Sequence, residues 1–147
     1  STILTSAGND DIFIAKLNRD GSYAWAVQAG GADGDEGWDI TSLNDGSSIA
    51  TGEFRGQASF GSTTLTSAGD DDIFIAKLNP DGSFAWAKRA GGTGVDEGDG
   101  ITSLSDGSSI VTGEFEGQIS FKYISLPSLS FPKESLNKSI FIDPAKE

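Results

Sequence analysis

The chain repeats itself. Ser1 aligns with Ser62, and the offset of 61 residues holds without a gap up to Phe60 and Phe121. By direct count 45 of the 60 paired positions are identical. STILTSAGNDDIFIAKLN matches STTLTSAGDDDIFIAKLN, and ITSLNDGSSIATGEFRGQASF matches ITSLSDGSSIVTGEFEGQISF. Such similarity marks a duplicated structural unit, so any fold for this chain must accommodate two copies of one motif.

Each unit gives the same signals in the same order. LTSAG and the acidic residues after it read as a polar loop. A short apolar run follows, Ile12 to Leu17 or Ile73 to Leu78. In the second copy Ile73 and Ile75 lie on one side and Phe74, Ala76 and Leu78 on the other, the pattern of a strand buried on both faces. Asn-Arg-Asp-Gly or Asn-Pro-Asp-Gly comes next, and Asp-Gly between apolar runs is a hairpin signal because glycine takes a positive φ at low cost. The return strand, opening with Phe84, Ala85, Trp86 and Ala87 in the second copy, ends in Ala-Gly-Gly. A glycine-rich acidic connection, ADGDEG or TGVDEG, leads to two further strands around a second Asp-Gly turn. These are Ile40 to Leu43 and Ser48 to Phe54, then Ile101 to Leu104 and Ser109 to Phe115. One period therefore supplies four short antiparallel strands, and helical periodicity is absent.

A single four-stranded sheet with two apolar faces cannot bury both by itself, so it has to stack against copies of itself. Radial stacking of such sheets is the β-propeller solution. The runs DIFIAKLNPDGSFAWAKRAGG and DGSSIVTGEF resemble the bacterial β-propeller repeat known as SBBP, over residues 1–121. The resemblance implies a propeller blade in a bacterial protein, often secreted or surface-associated and generally without known enzymatic activity. That family has no fixed catalytic residues, so no catalytic role carries over. The similarity stops at Phe121, where Lys122 stands in the place of Gly61. Residues 122–147 form a non-repeat tail in which only Ser139-Ile140-Phe141-Ile142 echoes DIFI; its prolines, Pro127, Pro132 and Pro144, argue against a long regular strand.

The expected fold is all-β, with two four-stranded blades' worth of strands per chain. With strands lettered A to D from the propeller axis outward, the chain runs C-D, A-B-C-D, A-B. That is half a blade, a full blade and the complementary half. Two blades do not close a ring, which typically needs about four to eight. The halves are complementary, so a head-to-tail homo-oligomer is expected, with a trimer favoured over a tetramer. Ile12, Phe13 and Ile14 of one chain would then pair with the strand carrying Ile110, Val111 and Phe115 of the next. An excised piece of a longer single-chain propeller is the other reading. The chain begins at Ser1 and contains no methionine, which suggests a processed or excised product, with any targeting segment missing from it.

Composition restricts the chemistry. The net charge is −12, with no histidine and no cysteine. An acidic field repels phosphate backbones, so no nucleic-acid partner is expected. The missing side chains exclude disulfides, thiolate metal sites, the usual zinc sites and histidine-based acid–base catalysis within one chain. No apolar run is long enough to span a membrane.

Four candidate sites follow. Differences between the copies concentrate in the connections from Gly30 to Asp39 and Gly91 to Gly100, where Trp38 faces Asp99 in the alignment. A ligand site there would use Asp33, Asp35, Glu36, Trp38, Asp96, Glu97 and Asp99, with the indole stacking on a sugar and carboxylates taking its hydroxyls. The plain structural alternative is that these loops drift and that Asp35 and Glu36 cap backbone amides. ADGDEG and SAGDDD also offer oxygen ligands for calcium, although EF-hand spacing and tandem nonapeptides are absent. NRDGSYAW and NPDGSFAW are similar to the Asp-box turn of other propellers but differ in spacing, and read as hairpin turns with a packed Trp25 or Trp86. Glu53 and Glu114 lie in apolar strands, where they would line a channel, pair with Lys16 or Lys77, or serve glycoside chemistry. The leading expectation is a non-enzymatic scaffold or binding module for a glycan or partner protein. A carboxylate-dependent glycan-processing enzyme and a calcium-binding repeat protein are the alternatives.

Overall fold

A computed structural model describes residues 1–121; the expectations for the tail lie outside them. Among the described residues nine strands occur in the order β1 (Ile12–Leu17), β2 (Tyr23–Gly31), β3 (Asp35–Ser42), β4 (Ser48–Phe60), β5 (Thr63–Leu78), β6 (Phe84–Gly91), β7 (Asp96–Ser103), β8 (Ser109–Phe115) and β9 (Ser120–Phe121). No helix is present among the described residues. All ladders are antiparallel.

The central element is the four-stranded unit β3-β4-β5-β6, flanked by the hairpins β1-β2 and β7-β8. Asp-Gly turns close β1-β2, β3-β4, β5-β6 and β7-β8, as the sequence predicts. Gly21, Gly46, Gly82 and Gly107 have φ of 84°, 83°, 89° and 85°. In each turn the aspartate accepts from the backbone N–H and hydroxyl of the serine two residues on. These bonds hold Asp20, Asp45, Asp81 and Asp106 below the ordinary carboxylate range, the serine hydroxyl being the largest cause.

Two expectations are corrected. LTSAG and its acidic residues are not a free loop in the second unit, because β5 already begins at Thr63. There, β4 and β5 run on as a long arm, from Gln57 opposite Thr66 to Phe60 opposite Thr63. The ladder shifts at Gly56, whose φ of 64° opens a bulge and turns the arm. Its backbone then reaches the preceding hairpin, with Ala58 opposite Gly31 and Ser59 opposite Gly30. The glycine-rich connections are also shorter than expected, since β3 starts at Asp35 and β7 at Asp96.

The core lies where the β1-β2 hairpin packs on the central unit. Phe54, Phe60, Phe74 and Leu78 are fully buried among Ile12, Ile14 and several alanines. The Phe60 ring centroid is 5.0 Å from that of Phe74 and 5.8 Å from that of Phe84. Trp25 joins the two units on the outside. Its indole N–H donates to the Pro80 carbonyl at 3.1 Å, and a Cβ on Gly82 would lie 2.6 Å from the ring.

Candidate functional site

The acidic residues between units divide into two kinds. Asp35 and Asp96 are buried at the starts of β3 and β7. Asp35 accepts from Gly31 N at 2.7 Å and Arg55 N at 3.2 Å. Asp96 repeats the pattern with Gly92 N at 2.7 Å and Glu116 N at 3.2 Å. Each carboxylate therefore ties the end of one unit to the first strand of the next and to the bulge of that strand's partner. Burial pushes Asp35 up to about 6, against the two amides that favour its charged form. These two groups face backbone, not solvent.

Asp33, Glu36, Trp38 and Asp99 lie outside this framework. Trp38 occupies a bulge, between Gly37 opposite Gly52 and Asp39 opposite Thr51. A bulge re-aims a side chain, and Trp38 is 52% exposed. It lines an open groove of about 260 Å³ with Ile12, Phe13, Ile14, Gly37 and Asp39. Asp99 falls in the equivalent irregular stretch of β7, between Glu97 and Gly100. Asp39, which the candidate set did not include, accepts from Ile101 N at 2.8 Å and so links β3 to β7. Its Gly100 counterpart has no side chain to do this, and that difference was its only trace in the sequence.

Glutamates form a row across the neighbouring strands. Glu36 lies opposite Glu53, and Glu97 opposite Glu114. Burial, then the charges of Glu97, Asp71 and Glu36, push Glu53 up to about 7. Among the described residues its Oε2 is buried with no hydrogen-bond partner. The expected pairing with Lys77 is not made: the Lys77 ammonium lies 3.5 Å from Asp45 instead. Two of the three acids of SAGDDD are also engaged. Asp71 binds the Arg55 guanidinium through both oxygens, and Asp72 accepts from Ala68 N and Arg89. Among the described residues, no group of three or more acidic side chains is placed to hold a metal ion. No helix there is long and apolar enough to cross a membrane.

A family described as a domain of unknown function (DUF5122) beta-propeller matches residues 43–84. The matched stretch runs from the turn before β4 to the first residue of β6, and so contains the whole β4-β5 ladder. With the all-antiparallel architecture, it indicates a β-propeller repeat. No curated protein matches the chain.

Proposed function

We propose that this chain is a non-enzymatic β-propeller scaffold that binds a glycan through the connections between its repeats. Trp38 carries the reading: a half-exposed indole on a bulge, beside Asp39 and close in sequence to Glu36. An aromatic face with adjacent hydrogen-bond acceptors suits a sugar ring. Repetition around a ring would add avidity through effective concentration. The SBBP-type assignment belongs to this proposal and rests on DIFIAKLN and DGSSIVTGEF; so does the bacterial, secreted or surface setting. The reading requires no cofactor.

A glycan array probed with the parent chain and with Trp38→Ala tests it. Binding should fall at least tenfold in the variant, the loss expected when one stacked aromatic worth about 1.4 kcal/mol is removed. Capture of proteins with no glycan signal would overturn the carbohydrate reading in favour of a protein ligand. A melting curve raised by calcium and lowered by chelator would favour the calcium alternative.

One observation favours a second reading, a carboxylate-dependent glycan-processing enzyme. Glu53 is held up to about 7 beside Glu36, and carboxyls in differing environments can divide acid and base roles. Turnover in a glycosidase panel that is abolished by Glu53→Gln or Glu114→Gln would establish that reading over the binding module.

A further inference from the structure

One antiparallel ladder occurs in this chain twice, once assembled and once in two separate pieces. In the assembled copy β4 lies along β5, with Ser48 opposite Leu78, Thr51 opposite Ile75 and Phe54 opposite Asp72. The repeat reproduces β4 as β8, and reproduces β5 as residues 2–17. Among the described residues, β8 pairs with β7 alone and β1 with β2 alone, so each presents a free edge.

The side chains on those edges are ones that the assembled ladder buries. Phe13 is 73% exposed where Phe74 is 0%. Ile110 is 51% exposed where Ile49 is 5%, and Phe115 is 57% exposed where Phe54 is 0%. Each edge also borders a groove. That of about 260 Å³ lies against β1, and another of about 330 Å³ is lined by Val111, Thr112 and Phe115 of β8 with Ile73 and Ile75.

We propose that the occupant is a second copy of this chain, with β8 of one copy pairing to β1 of the next in the register of β4 and β5. This rests on the propeller reading above and names the contact that would continue the ring. The register sets Ser109 opposite Leu17, Val111 opposite Ala15, Thr112 opposite Ile14 and Phe115 opposite Asp11 of the second copy. Past the bulge it sets Gln118 opposite Thr5 and Phe121 opposite Thr2. The outer contact repeats as well. Trp86 would cover the Gly21 turn of the second copy as Trp25 covers Gly82, and the space at Gly21 is open. One position departs from the template. Arg55 faces Asp71 and pairs with it at 2.6 Å, whereas the same register sets Glu116 against Asp10. Like charges directly opposite weaken a ladder, so the junction between copies is weaker than the internal ladder.

The full chain contains no cysteine, which makes cross-linking a direct test. Val111→Cys combined with Ala15→Cys should give disulfide-linked oligomers on oxidation. Val111→Cys with Ile14→Cys should not, because the register puts those two on opposite faces of the sheet. Light scattering on the parent chain should give a multiple of 15.2 kDa. Threefold supports a six-bladed trimer, while fourfold or an open polymer supports the same pairing with a different closure. Glu116→Arg, on an exposed side chain, should lower the concentration of half-assembly by about three- to tenfold. A monomer throughout, equal cross-linking of both cysteine pairs, or assembly indifferent to Glu116→Arg would overturn the proposal. Glycan binding by such a monomer would leave the binding reading standing, so the two can fail separately.

Discussion

The hairpins β1-β2 and β5-β6 share DIFIAKLN, Asp-Gly-Ser and Ala-Trp-Ala, and both give side chains to the core, yet only β5 is buried on both faces. In β5, Phe74, Ala76 and Leu78 are fully buried because β4 lies along one edge and β6 along the other. In β1, Phe13 and Leu17 are exposed because, among the described residues, the edge away from β2 has no strand on it. On that second face, nearly identical local sequence thus gives opposite burial, while Ile12 and Ile73 are buried alike. Burial here belongs to a place in the array of repeats, as expected where each repeat packs chiefly on its neighbours.

The largest test of this contrast compares the two phenylalanines. Phe74→Ala should lower the unfolding free energy by about 3–5 kcal/mol, because it empties a closed core site. Phe13→Ala should change it by no more than about 0.5 kcal/mol in the isolated chain, and should act on assembly instead. Denaturant melts at several protein concentrations separate these effects. Equal losses at low concentration would show that the two hairpins are packed alike.

The next test concerns charge. The folded state raises Glu53 from 4.5 to about 7, so between those values it binds a proton that the unfolded chain has released. The contribution of this group to stability is therefore greatest at the acid end and is lost as pH rises through the window, on the order of 1–3 kcal/mol. Glu53→Gln should remove that slope and raise the melting temperature at pH 8. A slope unchanged in Glu53→Gln would assign the pH dependence to other groups.

The smallest effect compares two turns. Gly82 and Gly21 have φ of 89° and 84°, but only Gly82 has an indole against it. Both alanine variants carry the penalty of left-handed backbone, about 1–2 kcal/mol. Gly82→Ala should cost about 1 kcal/mol more, from overpacking against Trp25. A red-shifted tryptophan emission in Gly82→Ala alone would report the displaced ring.

Much of the framework was legible in the sequence. The repeat and the Asp-Gly turns placed β1 and β8 to the residue, since apolar alternation and positive-φ glycines act locally. The arm of β4 and β5 was not legible. Thr-Leu-Thr-Ser carries little apolar signal, and the arm is held by its ladder and by Asp72 accepting from Ala68 N. The acidic runs did point to Asp35 as a cap of backbone amides, which it is, but not to its burial. Asp35 and Asp33 look alike in ADGDEG, and only three-dimensional placement directs one to buried amides. The duplication held a partial clue: Asp35-Glu36-Gly37 recurs unchanged as Asp96-Glu97-Gly98 while the residues on both sides differ. For the glutamate row, cross-strand register decided the outcome, which a one-dimensional pattern does not encode.

The short ladder joining β2 to the arm of β4 has a kinetic consequence. Only Gly30 and Gly31 pair with Ser59 and Ala58, so the first hairpin is held to the rest by this two-residue ladder, the Gly31 bond to Asp35, the Trp25 bond to Pro80 and the core packing of Ile12, Ile14 and Ala29. The second is bound along the full edge of β5. Amide protons in β1 and β2 should thus exchange with solvent through a shallow local opening, and those of β4 and β5 only through global unfolding. The first hairpin is the latch of the molecule, closed over the core by the fewest backbone ties.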